Sequence, residues 1–186
     1  MAIIDDLIEL VPPPAEPPTF DFEACEHALG VPLPDDYRNL VATYGLGEFD
    51  DDLMVWVPPH PEVEADNTIT SMSGAARDAL IQLRPTIPDT ATWLLPDGTE
   101  HQVELGSENP PPFIGWGRSN GGMYGFWHII GDDPNAWPVV YTDLGGAWDY
   151  DPRGLLEFVF AKVSGLYPDS RTGNYDPQDP YFSSFF

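Results

Sequence analysis

The chain has few basic residues. Of its 186 residues only seven are Lys or Arg, against 31 Asp or Glu, so the formal net charge is −24 and the sequence pI is about 4.1. Binding to a phosphate backbone or to an anionic membrane surface needs Lys and Arg in numbers. The composition therefore excludes direct binding to nucleic acid and to anionic membranes.

Cysteine and long apolar runs are also scarce. Cys25 is the only cysteine, which rules out an intrachain disulfide and a cysteine metal cage and fits a reducing compartment. No stretch approaches the roughly 20 apolar residues of a membrane span. Residues 1–10 carry three acids, whereas a secretory signal starts basic and continues with a longer apolar run. We expect a soluble, cytoplasmic protein.

Apolar and aromatic residues are plentiful, at 42% and 13% of the chain. This composition and length favour one folded domain with a sizeable core. Eleven of the 22 prolines cluster at residues 12–18, 58–61 and 110–112, where they predict stiff connections. The expected organisation is an N-terminal helix and Pro-rich spacer over residues 1–18, a main domain over 19–165, and an aromatic, acidic tail over 166–186 that packs on the domain.

Apolar spacing predicts five helices. They cover residues 1–10, a segment from the N-cap Thr19 to Gly30, residues 35–44, residues 67–83, and a segment from Asp151 to Gly165 with Pro152 at its first position. Strands are predicted at residues 53–57, 93–95, 101–105, 113–116, 123–130 and 137–141. Short turns between consecutive strands favour antiparallel pairing. The predicted fold class is α+β, with helices packed on a mainly antiparallel sheet.

Sequence motifs for catalysis and cofactors are absent. The chain has no G-x-S-x-G segment, no H-x-x-x-H pair among His27, His60, His101 and His128, and no phosphate-cradling loop. The acidic runs at residues 50–52 and 132–133 lack the ligand spacing of a calcium loop. We therefore predict no catalytic residues, no metal site and no cofactor.

Two acidic turns stand out as contact points for a partner. Asp50, Asp51 and Asp52 precede Trp56, and Asp132 and Asp133 precede Trp137. Interfaces gain much of their energy from aromatic and charged anchors, and turns project from a scaffold. We predict that these seven residues bind a basic protein. The alternative is that the charge serves only solubility or adaptation to high salt.

Two segments carry a family resemblance. The first is LGVPLPDDY at residues 29–37, continuing to Tyr44-Gly45. The second is FIGWG at residues 113–117, followed by Gly121-Gly122, Trp127, GDDP at 131–134 and WPVV at 137–140. With the terminal helix around residues 155–160, their order and spacing resemble the SUKH superfamily, the Smi/Knr-like domain. The extra acid in Gly131-Asp132-Asp133 and the Phe-rich tail depart from its pattern.

The resemblance implies a function. SUKH proteins have an α+β fold and are binders rather than enzymes; bacterial members are mostly immunity proteins against polymorphic toxins, often nucleases. We therefore expect an immunity protein that neutralises a basic toxin domain. Two alternatives stay open: a carbohydrate-binding or carbohydrate-active protein using its aromatics and acids, and an intracellular scaffold that regulates cell-wall synthesis, as in fungal members. The toxin and the oligomeric state are not predicted.

Overall fold

A computed structural model describes residues 3–83, 90–94, 100–104, 112–144, 147–167, 170–176 and 178–186. In these residues the chain forms five helices: α1 (Ile3–Leu10), α2 (Phe22–Leu29), α3 (Asp35–Tyr44), α4 (Ile69–Leu83) and α5 (Leu155–Val163). The strands are β1 (Gly47–Phe49), β2 (Leu53–Val55), β3 (Thr90–Leu94), β4 (Glu100–Glu104), β5 (Phe113–Ser119), β6 (Tyr124–His128), β7 (Val139–Thr142), β8 (Trp148–Asp151) and β9 (Phe182–Ser184).

Seven strands form one sheet in the order β8-β7-β6-β5-β2-β1-β9, and every pairing is antiparallel. The strands β3 and β4 make a separate antiparallel pair, and the residues between them, 95–99, lie outside the described residues. The fold is therefore α+β, with helices packed on an antiparallel sheet, as the sequence predicts.

Helices cover both faces of the large sheet. Phe158 of α5 packs on Trp116 and Tyr141, with ring centroids 5.7 and 5.3 Å apart. Tyr37 of α3 meets Trp127 edge-on at 5.3 Å. Because Trp127 pairs with Val139, two residues before Tyr141, α3 and α5 cover the same face.

The helix α4 crosses the other face at a glycine. The backbone N–H of Gly115 donates to Ser73 Oγ of α4 at 3.0 Å. A Cβ at Gly115 would lie 2.9 Å from the ring of Trp56, so only glycine permits this close approach.

The predicted helix ends need three corrections. Asp21, not Thr19, caps α2, because its carboxylate accepts from the backbone N–H of Ala24 at 2.9 Å. A 3₁₀ turn over Ala65–Asn67 precedes α4, which begins at Ile69. Residues 148–151 extend the sheet as β8, so α5 begins only at Leu155.

The N-terminus of α5 is capped from another helix. Gly154, at φ 106°, has no side chain to cap it, and Asp36 of α3 replaces one: its Oδ2 accepts from the backbone N–H groups of Leu155 and Leu156 at 2.6 and 3.2 Å. Burial raises the pKa of Asp36, against the lowering effect of these bonds. Asp36 thus joins two helices that are more than a hundred residues apart in sequence.

Candidate functional site

The turn at Asp50, Asp51 and Asp52 joins β1 to β2 at one edge of the sheet. Asp50 and Asp51 both have left-handed backbone, with φ of 52° and 51°, a conformation that Asp tolerates better than most residues. Side chains of Asp50 and Asp52 are partly buried, and that of Asp51 is exposed. The turn is therefore a tight, defined structure.

The C-terminal tail holds this turn. Asp50 Oδ1 accepts from the backbone N–H of Tyr181 at 3.2 Å, and Asp51 Oδ1 accepts from the hydroxyl of Ser183 at 2.8 Å. Asp52 Oδ2 accepts from the hydroxyl of Tyr175 at 2.7 Å. All three carboxylates thus accept hydrogen bonds from the chain's own tail, and their binding to a basic partner stays a prediction.

The tail is fastened a second time at a buried lysine. Lys162 of α5 is 1% exposed and contacts Asp149 Oδ2 at 2.6 Å. Its Nζ also donates to the tail, to Ser170 Oγ, Thr172 Oγ1 and the carbonyl of Gly173, each at 2.6 Å. Burial lowers the pKa of Lys162, and the nearby Asp149 opposes this. The pair Lys162–Asp149 therefore holds residues 170–173 of the tail against α5.

An acidic groove lies between the turn at residues 50–52 and the tail. It has a volume of about 590 Å³ and is lined by Asp50, Tyr175, Asp176, Gln178, Asp179 and Tyr181. Burial raises the pKa of Asp50; the bond from Tyr181 opposes this, and the charges of Asp176, Asp51 and Asp179 add to it. Hydrogen bonds from Tyr181 and Ser183 lower the pKa of the exposed Asp51. The groove brings the negative charges of Asp50, Asp176 and Asp179 together.

The second acidic turn, at residues 131–135, has different partners. Asp132 and Asp133 are exposed, and Asp133 Oδ1 accepts from the backbone N–H of Asn135 at 3.0 Å. Asn135 Oδ1 accepts from the backbone N–H of Asp35 at 2.7 Å, and its Nδ2 donates to Asp35 Oδ2 at 3.2 Å. This turn docks on the N-terminus of α3, so the two segments that carry the family resemblance meet here.

The two acidic turns lie at opposite ends of the sheet. Asp52 Oδ1 accepts from the backbone N–H of Gly121, in the turn before β6, at 3.0 Å, whereas residues 131–135 follow β6. The five residues of β6 separate them by about 17 Å at 3.4 Å per residue. The predicted contact residues therefore do not form one continuous patch.

Neither predicted tryptophan anchor reaches the surface. Trp56 is 0% exposed and Trp137 is 4% exposed. Their prediction as partner anchors is therefore wrong for this structure, because the rings belong to the core. Trp127, the tryptophan of β6, is also buried, at 1% exposed.

Burial of tryptophan also bears on carbohydrate binding. A sugar-stacking platform needs exposed rings. The five tryptophans with described side chains are all core residues: Trp56, Trp116, Trp127, Trp137 and Trp148. They offer no such platform.

The described residues show no metal cluster. Among them, no three or more His, Cys, Asp or Glu side chains converge in a way that could hold a metal ion. His60 lies between the rings of Phe20 and Phe186, at 5.7 and 5.9 Å, and His128 packs on Phe113 at 5.2 Å. These histidines have aromatic neighbours.

Sequence reasoning missed the tail residues of the groove. Asp176, Asp179 and Tyr181 belong to the segment DPQDPY, where two Asp-Pro pairs precede the last strand. That alternation of acid and proline, followed by an aromatic residue, was the available indication. Only the pairing of β9 with β1 brings these residues beside Asp50.

Within the described ranges, no helix has the length and apolar character that crossing a membrane requires.

Comparison of the chain with protein-family models, with curated proteins and with solved structures yields no significant match.

Proposed function

We propose that this protein is a non-enzymatic inhibitor that binds and neutralises a basic protein, as an immunity protein does. The observation that carries the proposal is the acidic groove, in which Asp50, Asp176 and Asp179 are held close together in a chain of net charge −24. Holding like charges together costs free energy unless a cation binds there. A basic partner would relieve that repulsion.

The exposed aromatic ring of Tyr181 lines the groove and can supply the apolar part of the contact. Tyr181 is 43% exposed. Aromatic side chains are enriched at the energetic centres of interfaces. Tyr181 replaces the buried Trp56 and Trp137 as candidate anchor, while Asp132 and Asp133 become a separate, distal surface.

The resemblance to SUKH immunity proteins supports a toxin as the partner. A toxin that handles nucleic acid tends to be basic, and an acidic inhibitor can cover its active site as a nucleic-acid mimic. Complementary charge raises association rates toward about 10⁸–10⁹ per molar per second, which suits an inhibitor that must act before damage occurs. A cytoplasmic location is part of this proposal, and it fits Cys25, whose buried thiol has its pKa raised to about 11.

Growth rescue tests the function directly. The chain is co-expressed with the product of the neighbouring reading frame, and growth is scored with and without it. Rescue by the intact chain, and loss of rescue when Asp176 and Asp179 are both changed to Asn, is the expected result. Growth arrest that the intact chain does not relieve would overturn the assignment to that toxin.

Association kinetics test the groove. Asp176→Asn with Asp179→Asn removes two groove charges, and Asn can still accept the bond that Asp176 Oδ1 receives from the backbone N–H of Gln178. The matched control is Glu62→Gln with Glu64→Gln, two exposed acids in the loop after β2, at the opposite end of the sheet. Stopped-flow association should slow roughly threefold to tenfold in the groove variant at low salt, and less than twofold in the control.

The dependence of the association rate on ionic strength can contradict the proposal. Wild-type association should slow as salt rises, because salt screens charges over about 10 Å at 0.1 M. A rate that ignores salt, or equal slowing in both variants, would leave the charge as a solubility feature.

A further inference from the structure

A second, smaller cavity lies between the sheet and the tail. It has a volume of about 220 Å³, about seven times the ~30 Å³ that one water occupies in the liquid. Its polar lining comes from the turn, the sheet and the tail: Asp52, Ser119, Tyr141, Thr172, Asn174 and Tyr175. The pairing of turn and tail therefore creates a partly enclosed, hydroxyl-rich site beside the acidic groove.

The hydroxyl of Tyr141 is buried at this cavity. Tyr141 is 3% exposed, and its oxygen faces the hydroxyls of Ser119 and Tyr175 without making a well-formed hydrogen bond to any described residue. Burial raises the pKa of Tyr141 to about 12, so the hydroxyl is neutral at physiological pH. Such an oxygen can accept a hydrogen bond from a ligand.

The cavity holds more acceptors than it uses. Asp52 Oδ1 accepts from the backbone N–H of Gly121 and Oδ2 accepts from the hydroxyl of Tyr175, which leaves lone pairs on both oxygens. Ser119 Oγ accepts from the backbone N–H of Met123 at 3.2 Å. A ligand that fits must bring several N–H donors and a positive charge.

Lys162 does not satisfy these acceptors. It lies behind the cavity wall, and its three protons already face four acceptors, in Asp149, Ser170, Thr172 and Gly173. These contacts hold the Lys162 ammonium away from Asp52.

We propose that this cavity binds a guanidinium group, with Asp52 as its counter-ion and Tyr141 as a hydrogen-bond acceptor. A planar guanidinium carries five N–H donors and stacks on aromatic rings, whereas an ammonium offers three donors on a compact, strongly hydrated centre. The proposal rests on the proposed function in one respect: the guanidinium is that of an arginine on the basic partner.

A small probe tests the cavity without the partner. N-acetyl-arginine amide is titrated into the full, ¹⁵N-labelled chain, and the amide resonances of Gly121 and Met123 are followed. Saturable shifts are expected, with N-acetyl-lysine amide binding at least about threefold more weakly. Equal affinity for the two amides would overturn the assignment to a guanidinium, and non-saturating shifts would leave the cavity as a solvent pocket only.

Two variants assign the binding to this cavity. Tyr141→Phe removes only a hydroxyl that makes no well-formed hydrogen bond to a described residue, so the fold should persist while probe affinity falls about tenfold, the loss expected for one hydrogen bond to a charged group. Asp52→Asn should weaken the binding of both cationic probes, because it removes the negative charge that faces the cavity. The matched control is Tyr44→Phe, which loses a hydrogen bond to the carbonyl of Val11 away from the cavity and should leave probe affinity unchanged. Unchanged affinity in Tyr141→Phe would sink the proposal.

The proposed guanidinium site and the proposed function can be tested separately. The probe titration needs no partner, so a missing basic partner would overturn the proposed function and leave the guanidinium preference standing. With a partner in hand, Tyr141→Phe should speed its dissociation several-fold. An unchanged dissociation rate, together with lost probe binding, would mean that the cavity takes a small guanidinium compound instead of the partner's arginine.

Discussion

The turn at residues 50–52 and the turn at residues 131–135 have similar sequences and different structural roles. Both are acidic, and both connect neighbouring strands of one sheet. In the first, three carboxylates accept hydrogen bonds from the tail, and the turn forms one wall of the acidic groove. In the second, Asp132 and Asp133 are exposed, and Asn135 joins the turn to α3.

The difference shows that clustered acids in a sequence do not identify a free contact surface. A carboxylate turn can equally serve as an acceptor for another segment of the same chain. The turn at residues 50–52 holds a tail that brings Asp176 and Asp179 beside Asp50. The stability of the first turn should therefore depend on the anchoring of the tail, and that of the second turn on the packing of α3.

Lys162→Met should have the largest effect. It leaves Asp149, 4% exposed, without its ion-pair partner, and breaking a buried pair costs about 3–5 kcal/mol. Denaturant unfolding should show that the free energy of unfolding falls by this amount. Hydrogen exchange should show that the tail-bound amides of Asp50 and Phe185 lose protection before the amide of Ala136 in the second turn.

A double variant checks the cause of that loss. Lys162→Met with Asp149→Asn removes both charges and should be more stable than Lys162→Met alone, because no unpaired charge remains. A single-variant loss below about 1 kcal/mol, or equal loss of protection at the two turns, would contradict the role of this pair in anchoring the tail.

Asp36→Ala tests the other end of the molecule with a smaller expected effect. It removes the cap of α5 and should cost about 1–2 kcal/mol, the range for lost N-caps. The matched control is Glu23→Ala, an exposed acid in the first turn of α2, which should stay within about 0.5 kcal/mol. Thermal unfolding of both variants measures the difference, and equal costs would mean that Asp36 does not act through α5.

Asp50→Asn should have the smallest effect on the free energy of unfolding, and it should raise that free energy where the other substitutions lower it. The amide can still accept from Tyr181, and it relieves burial of a charge next to Asp51, Asp176 and Asp179. Because Asp50 is largely solvent-screened, we expect a gain below about 1 kcal/mol at pH 7.

The pH dependence of that gain follows from the raised pKa of Asp50. A carboxyl group whose pKa is higher in the folded state destabilises the fold as pH rises through that pKa. The gain of the variant should therefore be full at neutral pH and vanish below the unfolded pKa of about 3.9. Paired unfolding curves from pH 3 to 7 measure it, and a gain that grows on acidification would refute the assignment.

The helices and central strands could be predicted because their patterns are local. The apolar spacing of α3 and α4 and the turns around β5 and β6 are visible within short windows of the sequence. The short strands β1 and β9 were missed, because three residues carry no periodic pattern and form a strand only through pairing with each other. Residues 148–151 were missed because these four residues form a strand through pairing with β7.

The site was harder to predict than the fold. Acids at Asp50, Asp51 and Asp52 were identified, but the groove is completed by Asp176 and Asp179, more than a hundred residues away in sequence. Trp56 and Trp137 were misassigned because an aromatic residue beside an acidic turn packs inward as readily as outward. Their orientation depends on the sheet register, which no short segment determines.

Lys162 is also the only lysine in the chain, and this gives the anchored tail a chemical reporter. Amine-selective reagents require an accessible, deprotonated ε-amine, and this one is 1% exposed with four hydrogen-bond acceptors around it. Side-chain acylation should therefore proceed only from molecules whose tail has opened. Its rate, followed by mass spectrometry, would measure how often the tail leaves α5, and saturation with a groove-binding partner should slow it.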